Sequence, residues 1–129
     1  METPHSIQDM PSAKQLQIVN GDIAFNDVSF FFDSKRPVLE HFSLHINGGG
    51  KVGLVGPSGA GKTTITKLLL RLYDPITGTI TIDGQDLRAV TQESLRNLIS
   101  FVPQEPILFH RTLRDNIRYG KRGASEAEV

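Results

Sequence analysis

The run Gly56-Pro57-Ser58-Gly59-Ala60-Gly61-Lys62-Thr63-Thr64 narrows the folds open to this chain more than any other stretch. Gly56, Gly61, Lys62 and Thr63 stand at the spacing G-x-x-x-x-G-K-[ST]. Glycines at 56, 59 and 61 let the backbone turn tightly and aim N–H groups inward. The span from Gly56 through Ser58, Gly59, Ala60 and Gly61 to Thr64 therefore reads as an anion cradle. The Lys62 ammonium adds a point charge for phosphate, and the Thr63 hydroxyl is small and hard enough to ligate Mg²⁺.

Such a loop has to lie between a strand and a helix, and both flanks carry the pattern. Residues 51–55, K-V-G-L-V, form a short apolar run that predicts a strand entering the loop. Beyond it Ile65, Leu68, Leu69 and Leu72 fall at i, i+3, i+4 and i+7, one face of an amphipathic helix that stops before Pro75. The positive end of that helix points at whatever anion the loop holds. Strand, loop and helix in this order predict an α/β fold of the P-loop class.

At 129 residues the chain fits one domain or a piece of one. It contains no apolar run of transmembrane length, and its first residues lack the basic start and apolar stretch of a signal peptide. Fourteen basic and fourteen acidic residues cancel, which removes any global electrostatic argument for nucleic acid, and no such partner is expected. With no cysteine there is no disulfide, thiol chemistry or zinc–thiolate site.

Residues 1–20 are polar, with Pro4 and Pro11, and read as a linker or arm, so order is expected from near Gly21. Ile23 and Phe25 then share one parity and Val28, Phe30 and Phe32 the other. A bulge at Asn26-Asp27 keeps both sets on one core face. Residues 33–37 are turn material, and 38–46 return as an antiparallel partner with Phe42, Leu44 and Ile46 alternating with His41, Ser43 and His45. Asn47 and three glycines feed the loop strand. Residues 79–82 end at Asp83-Gly84, a hairpin signal, and the β element resumes over 85–87. Thr91 caps a short helix with Leu95, Leu98 and Ile99 on one side, and 99–102 reads as a buried strand ending at Pro103. Gln104 thus opens a loop at a strand end, where ligands of open α/β sheets bind, facing the same crevice as the phosphate loop. Thr112 and Asp115 have capping-box spacing and open a helix with Leu113 and Ile117 inward.

From about Ile23 to Gly120 these residues resemble the first half of an ATP-binding cassette (ABC) domain of the exporter type. The resemblance rests on Val28-Ser29-Phe30-Phe31-Phe32, the phosphate loop, Val102-Pro103-Gln104-Glu105, then Pro106-Ile107-Leu108-Phe109 and Thr112-Leu113-Arg114-Asp115-Asn116-Ile117. It implies a P-loop NTPase fold, a parallel core sheet with an antiparallel β portion, incomplete at the C-terminus. It implies residues 1–20 as the linker from a transmembrane domain and 21–129 as a partial nucleotide-binding domain at the cytoplasmic face of a membrane. It further implies Mg-ATP as ligand, with adenine on Phe32, phosphates on Gly56 to Thr64, and Mg²⁺ on Thr63 and Gln104. Lys62 and Gln104 take catalytic roles. The implied partners are ATP, a transmembrane domain and a second nucleotide-binding domain, and the function is ATP-driven export. Ile80-Thr81-Ile82-Asp83 superficially resembles a metal-binding strand end but matches the hairpin of the family.

On residue grounds alone Phe32 reads as core and Gln104 as a loop amide; the resemblance is what moves both to the site. His41 and His45 read as a solvated strand face, and Arg111, Arg114, Arg118, Lys121 and Arg122 as a solvated basic face. Other readings are a non-catalytic nucleotide-binding or interaction module, or a different P-loop NTPase, although the guanine-reading N-K-x-D run is absent.

The L-S-G-G-Q signature, catalytic Glu and switch His of the family do not occur in these residues. Gln104 is neutral and cannot act as a general base near pH 7. The chain by itself is therefore expected to bind ATP without turning it over, since each missing transition-state contact costs on the order of 10² to 10³ in rate. Phosphate release measured beside a Lys62→Ala blank checks this. Steady release abolished in the blank means a base lies within these residues, with Glu105 the first to replace.

Overall fold

The structure, a computed structural model, describes residues 7–32, 37–104, 108–121 and 123–129. The turn read at 33–36, Glu105 of the glutamine loop, Arg122 and the start of the N-terminal arm lie outside them. Four strands form one antiparallel sheet in the order β2-β1-β3-β4: β1 (Ile23–Phe30), β2 (Leu39–Ile46), β3 (Thr77–Ile82) and β4 (Gln85–Asp86). Three short helices accompany it, α1 (Lys62–Leu69), α2 (Gln92–Leu98) and α3 (Leu113–Tyr119). The α/β class with its antiparallel portion is as expected.

The phase change in β1 is a bulge. The register against β2 shifts between Phe25 and Val28, and Asp27 adopts φ 51°. One extra residue on one strand returns the following side chains to the core face. Phe25, Val28 and Phe30 are all buried, Val28 completely. The ladder groups displaced by the irregularity find hydroxyl partners: Asp27 N–H donates to Ser43 Oγ at 3.0 Å, and His41 N–H to Ser29 Oγ at 3.1 Å. On the outer face His41 Nδ1 stands 2.8 Å from Asp27 Oδ1, both side chains in solvent.

Ile65 and Leu68 from α1 and Leu95 from α2 complete one core with Ile80, Ile82, Leu87 and Val90. α1 ends at Leu69, earlier than the apolar spacing implies, and Leu72 is exposed rather than on the buried face. Arg71 at φ 51° is the cause. Its N–H donates to Leu68 O at 3.0 Å and the Leu72 N–H to Lys67 O at 2.9 Å, a Schellman closure with arginine where glycine is usual. α2 is capped as expected, with Thr91 Oγ1 accepting from Ser94 N–H, and Leu95 is buried, but Leu98 is exposed.

Three expectations are corrected. Residues 51–55 and 99–102 form no strand and pair with none among the described residues, with Val55 99% and Val102 86% exposed. A core strand of a parallel sheet needs a ladder partner and cover on both faces, and among the described residues no element supplies either. α3 has its cap, Thr112 Oγ1 accepting from Asp115 N–H at 3.1 Å, yet Leu113 and Ile117 face outward. Order also begins before Gly21. Lys14 bridges Val90, its N–H donating to Ala89 O and its carbonyl accepting from Thr91 N–H, and Leu16 is buried in the core.

The β3–β4 turn has φ 47° at Asp83 and φ 76° at Gly84, a hairpin turn as read. The Asp83 carboxylate accepts from the backbone N–H groups of Val19, Asn20, Gly21 and Asp22 at 2.7–3.1 Å. Those donors, Val19 foremost, hold its pKa down at about 2. A carboxyl whose folded pKa is depressed contributes stability above its unfolded value and loses it as pH falls through the folded one. The arm over 19–22 is therefore expected to loosen as pH drops from about 4 to about 2. Asp83→Ala should bring the same loosening at neutral pH, read as faster amide exchange at residues 19–22 with β1 and β3 unchanged. Unchanged exchange would show that the arm is held by other contacts.

Candidate functional site

The phosphate loop is built where the sequence puts it. Gly61 sits at the N-cap of α1 with φ 86° and gives the helix no side-chain cap, so the first amides of α1 have no intrahelical acceptor and are oriented toward the loop. Ala60 N–H closes a turn onto Pro57 O at 3.2 Å. The Lys62 ammonium folds back over the loop and donates to the carbonyls of Gly56 and Pro57, the latter at 2.7 Å. Thr64 points away from this face and is buried, while Thr63 is exposed. This contrast separates two adjacent threonines that look alike in sequence.

Lys62, Thr63 and Gln104 line one groove of about 380 Å³, with Thr66 and Lys67 of α1 and Phe101. The expectation that Gln104 faces the crevice of the phosphate loop fits this placement, although 99–102 brings it there as an open segment rather than as a strand. Half of the groove's lining residues are apolar, Leu54, Leu70, Leu72 and Val102 besides Phe101, and its polar groups are the Lys62 and Lys67 ammonium groups, the Thr63 and Thr66 hydroxyls and the Gln104 amide. Those are groups for phosphate and a hard cation.

Phe32 does not line the groove, but the ammonium of Lys67, which does, lies over the Phe32 ring, 5.9 Å from its centroid. The Phe32 ring is 50% exposed and packs near-perpendicular to Phe30 and to Tyr73, at 4.9 and 5.2 Å between centroids. It is therefore neither a core residue nor a free one. Lys67 and Tyr73 were not among the residues read as functional from sequence. Lys67 was findable, standing one turn beyond Thr63 on a helix, whereas Tyr73 follows a helix end that the apolar spacing places too late.

The basic residues of α3 do not form a bare cationic face. Arg114 and Arg118 both pair with Glu126, and Lys121 with Glu128, in the short 3₁₀ turn Glu126–Glu128. These exposed pairs contribute little to stability.

Loop, left-handed cap and helix beside an antiparallel sheet define a P-loop nucleotide-binding domain. A family model described as ABC transporter matches residues 39–129, and the chain belongs to that family, as an N-terminal part of an exporter-type nucleotide-binding domain. It is 52% identical over 126 residues to an uncharacterized ABC transporter ATP-binding protein of Haemophilus influenzae, covering 98% of this chain and 20% of that protein. It is 46% identical over 129 residues to the ATM1-type heavy metal exporter of Novosphingobium aromaticivorans, covering 100% and 21%. A solved bacterial Atm1-family ABC exporter with ATP bound superposes with TM-score 0.90 at 46% identity, over 94% of this chain and 21% of that one. The chain thus spans about a fifth of the length of the relatives it matches.

A Cβ added at Gly61 lies 3.1 Å from both Val38 O and Leu39 Cδ2, whereas at Gly59, with φ 83°, it meets nothing within 4 Å. Gly59→Ala therefore carries only the left-handed backbone cost of roughly 1–2 kcal/mol, and Gly61→Ala that cost plus tight contacts at Val38 and Leu39, which must give by a few tenths of an ångström. Urea unfolding should give a lower midpoint for Gly61→Ala than for Gly59→Ala. Equal midpoints would mean that the β2 edge gives way without cost.

Proposed function

We propose that this chain binds Mg-ATP as the front half of the ATPase domain of an ABC exporter. The observation that carries the reading is that the Lys62 ammonium and the Thr63 hydroxyl, at the start of α1 next to the Gly61 cap, line the groove that Gln104 also lines. Backbone amides of Gly56, Ser58, Gly59, Ala60, Gly61 and Thr64 cradle the phosphates. Lys62 exchanges the Gly56 and Pro57 carbonyls for phosphate oxygens, trading neutral acceptors for charged ones that hold it more strongly. In hydrolysis it stabilises charge on the transferred phosphoryl group. Phe32 offers a half-exposed ring for stacking adenine.

The donor set at the groove fits a hard divalent cation. Thr63 and Gln104 are the residues that would hold Mg²⁺, both through neutral oxygens, leaving charge balance to the triphosphate. Bound there, the ion supplies neutralisation of phosphate charge. Gln104 in addition positions water and senses the membrane part.

In the parent protein, residues 1–20 are the linker from a transmembrane domain and 21–129 part of the cassette. A second cassette closes over the nucleotide, at the cytoplasmic face of the membrane, and hydrolysis powers export. Support comes from the family membership and from relatives whose names describe exporters.

Lys62→Ala tests the phosphate-loop assignment. Among the described residues the Lys62 ammonium hydrogen-bonds only to loop carbonyls, those of Gly56 and Pro57, so its loss is expected to abolish nucleotide binding and leave the far-ultraviolet dichroism unchanged. Anisotropy of a fluorescent ATP analogue titrated against both forms is the measurement. Equal affinities would remove the assignment.

A further inference from the structure

Phe32 is the second residue beyond the end of β1. The Val38 N–H to Phe30 O bond, 2.9 Å, stands two residues before it. Strand pairing therefore does not fix its ring plane, which depends on what packs beside it. Two rings do. Phe30, buried in the core, meets Phe32 at 4.9 Å and 88°, and Tyr73 meets it at 5.2 Å and 87°. Tyr73 and Phe30 also touch each other, at 5.5 Å and 51°, so the three rings close a triangle. Neither neighbour stacks parallel on Phe32, and the Lys67 ammonium lies over its ring, 5.9 Å from the centroid, so a flat ring stacking in parallel has the half-exposed remainder of Phe32 to meet.

Tyr73 is itself held from an unexpected direction. It lies two residues after Arg71, a buried residue whose guanidinium donates to Asp74 Oδ1 at 3.2 Å, Val90 O at 3.0 Å and Asp9 Oδ1 at 3.4 Å. The turn leaving the phosphate-loop helix is thereby pinned, and Tyr73 with it.

We propose that Tyr73 is a positioning residue for base recognition: anchored by the Arg71 turn and packed perpendicular to Phe32, it sets the plane on which the base of a nucleoside triphosphate stacks. The proposal rests on the reading of Phe32 as the adenine platform. It links the helix that starts at the phosphate cradle to the base indirectly, through the turn at its other end and the Phe32 ring. Because the contact is ring to ring, phenylalanine should replace tyrosine and leucine should not.

The test measures binding of ATP and of inorganic tripolyphosphate by calorimetry to the full chain and its Tyr73→Leu, Tyr73→Phe and Phe32→Ala variants. Tyr73→Leu is expected to weaken ATP about tenfold, in the range of a lost base–aromatic stack, and to leave tripolyphosphate unchanged, since that ligand has no base. Tyr73→Phe should bind both like the parent. A Tyr73→Leu variant that weakens both ligands alike would overturn the proposal, because Tyr73 then only supports the fold. ATP affinity unchanged in Tyr73→Leu but lowered in Phe32→Ala overturns the role of Tyr73 while the platform stands. ATP affinity unchanged in Phe32→Ala overturns the platform reading and the proposal together.

Discussion

One buried guanidinium ties together the parts of this molecule that concern the nucleotide. Arg71 sits in the left-handed position that ends α1, a conformation costing a non-glycine residue roughly 1–2 kcal/mol. Burying its charge would cost several kcal/mol more if it were unpaired. Two carboxylates and a carbonyl offset this: Asp74 from its own turn, Asp9 from the N-terminal arm and Val90 from the segment before α2. Its own carbonyl and that of Leu70 accept from Arg96 of α2. Asp9 in turn accepts from the Gln92 N–H at the start of α2. The end of the phosphate-loop helix, the arm and α2 are thus fixed to one another by polar contacts, and the aromatic side chain two residues on inherits its place.

A second constraint works through β1. The Asp27 bulge puts Val28 and Phe30 back on the core face, and Phe32, two residues further, continues in that phase past the end of the strand. A ring that would have been core reaches the core's edge and stays half exposed. Without the extra residue the same aromatic run would present its opposite parity, and the platform beside α1 would be lost. The hydroxyls of Ser29 and Ser43 make the irregularity affordable by satisfying N–H groups across it.

The segments flanking the loop show the opposite situation. Residues 51–55 and 99–102 have the apolar composition of central parallel strands, but among the described residues they join no ladder, and apart from Ile99, which packs against the core, their side chains stay largely exposed. The loop nevertheless keeps its shape. Its geometry is set locally, by the left-handed Gly61 against Val38 and Leu39, by the Pro57–Ala60 turn and by Lys62 lying over its own carbonyls.

Features that depend on near neighbours in sequence were legible from the sequence alone: the phosphate loop, the bulge at 26–27, the hairpin at Asp83-Gly84 and the caps at Thr91 and Thr112. Each is a steric or hydrogen-bonding rule acting within one short stretch of chain, so composition and spacing suffice. The fold class and the family followed from the same short motifs. Tertiary structure decided what depends on partners distant in sequence. An apolar run becomes a strand only where another strand offers its ladder, which is why 51–55 and 99–102 stayed unpaired and Leu113 and Ile117 faced outward. The end of the arm read as a linker is docked because the Asp83 carboxylate, more than 60 positions away, gathers the amides of Val19 and Asn20 together with those of Gly21 and Asp22 just beyond it. The end of α1, and with it the place of Tyr73 beside Phe32, was set by Arg71 reaching Asp9 and Val90, contacts that no local pattern encodes.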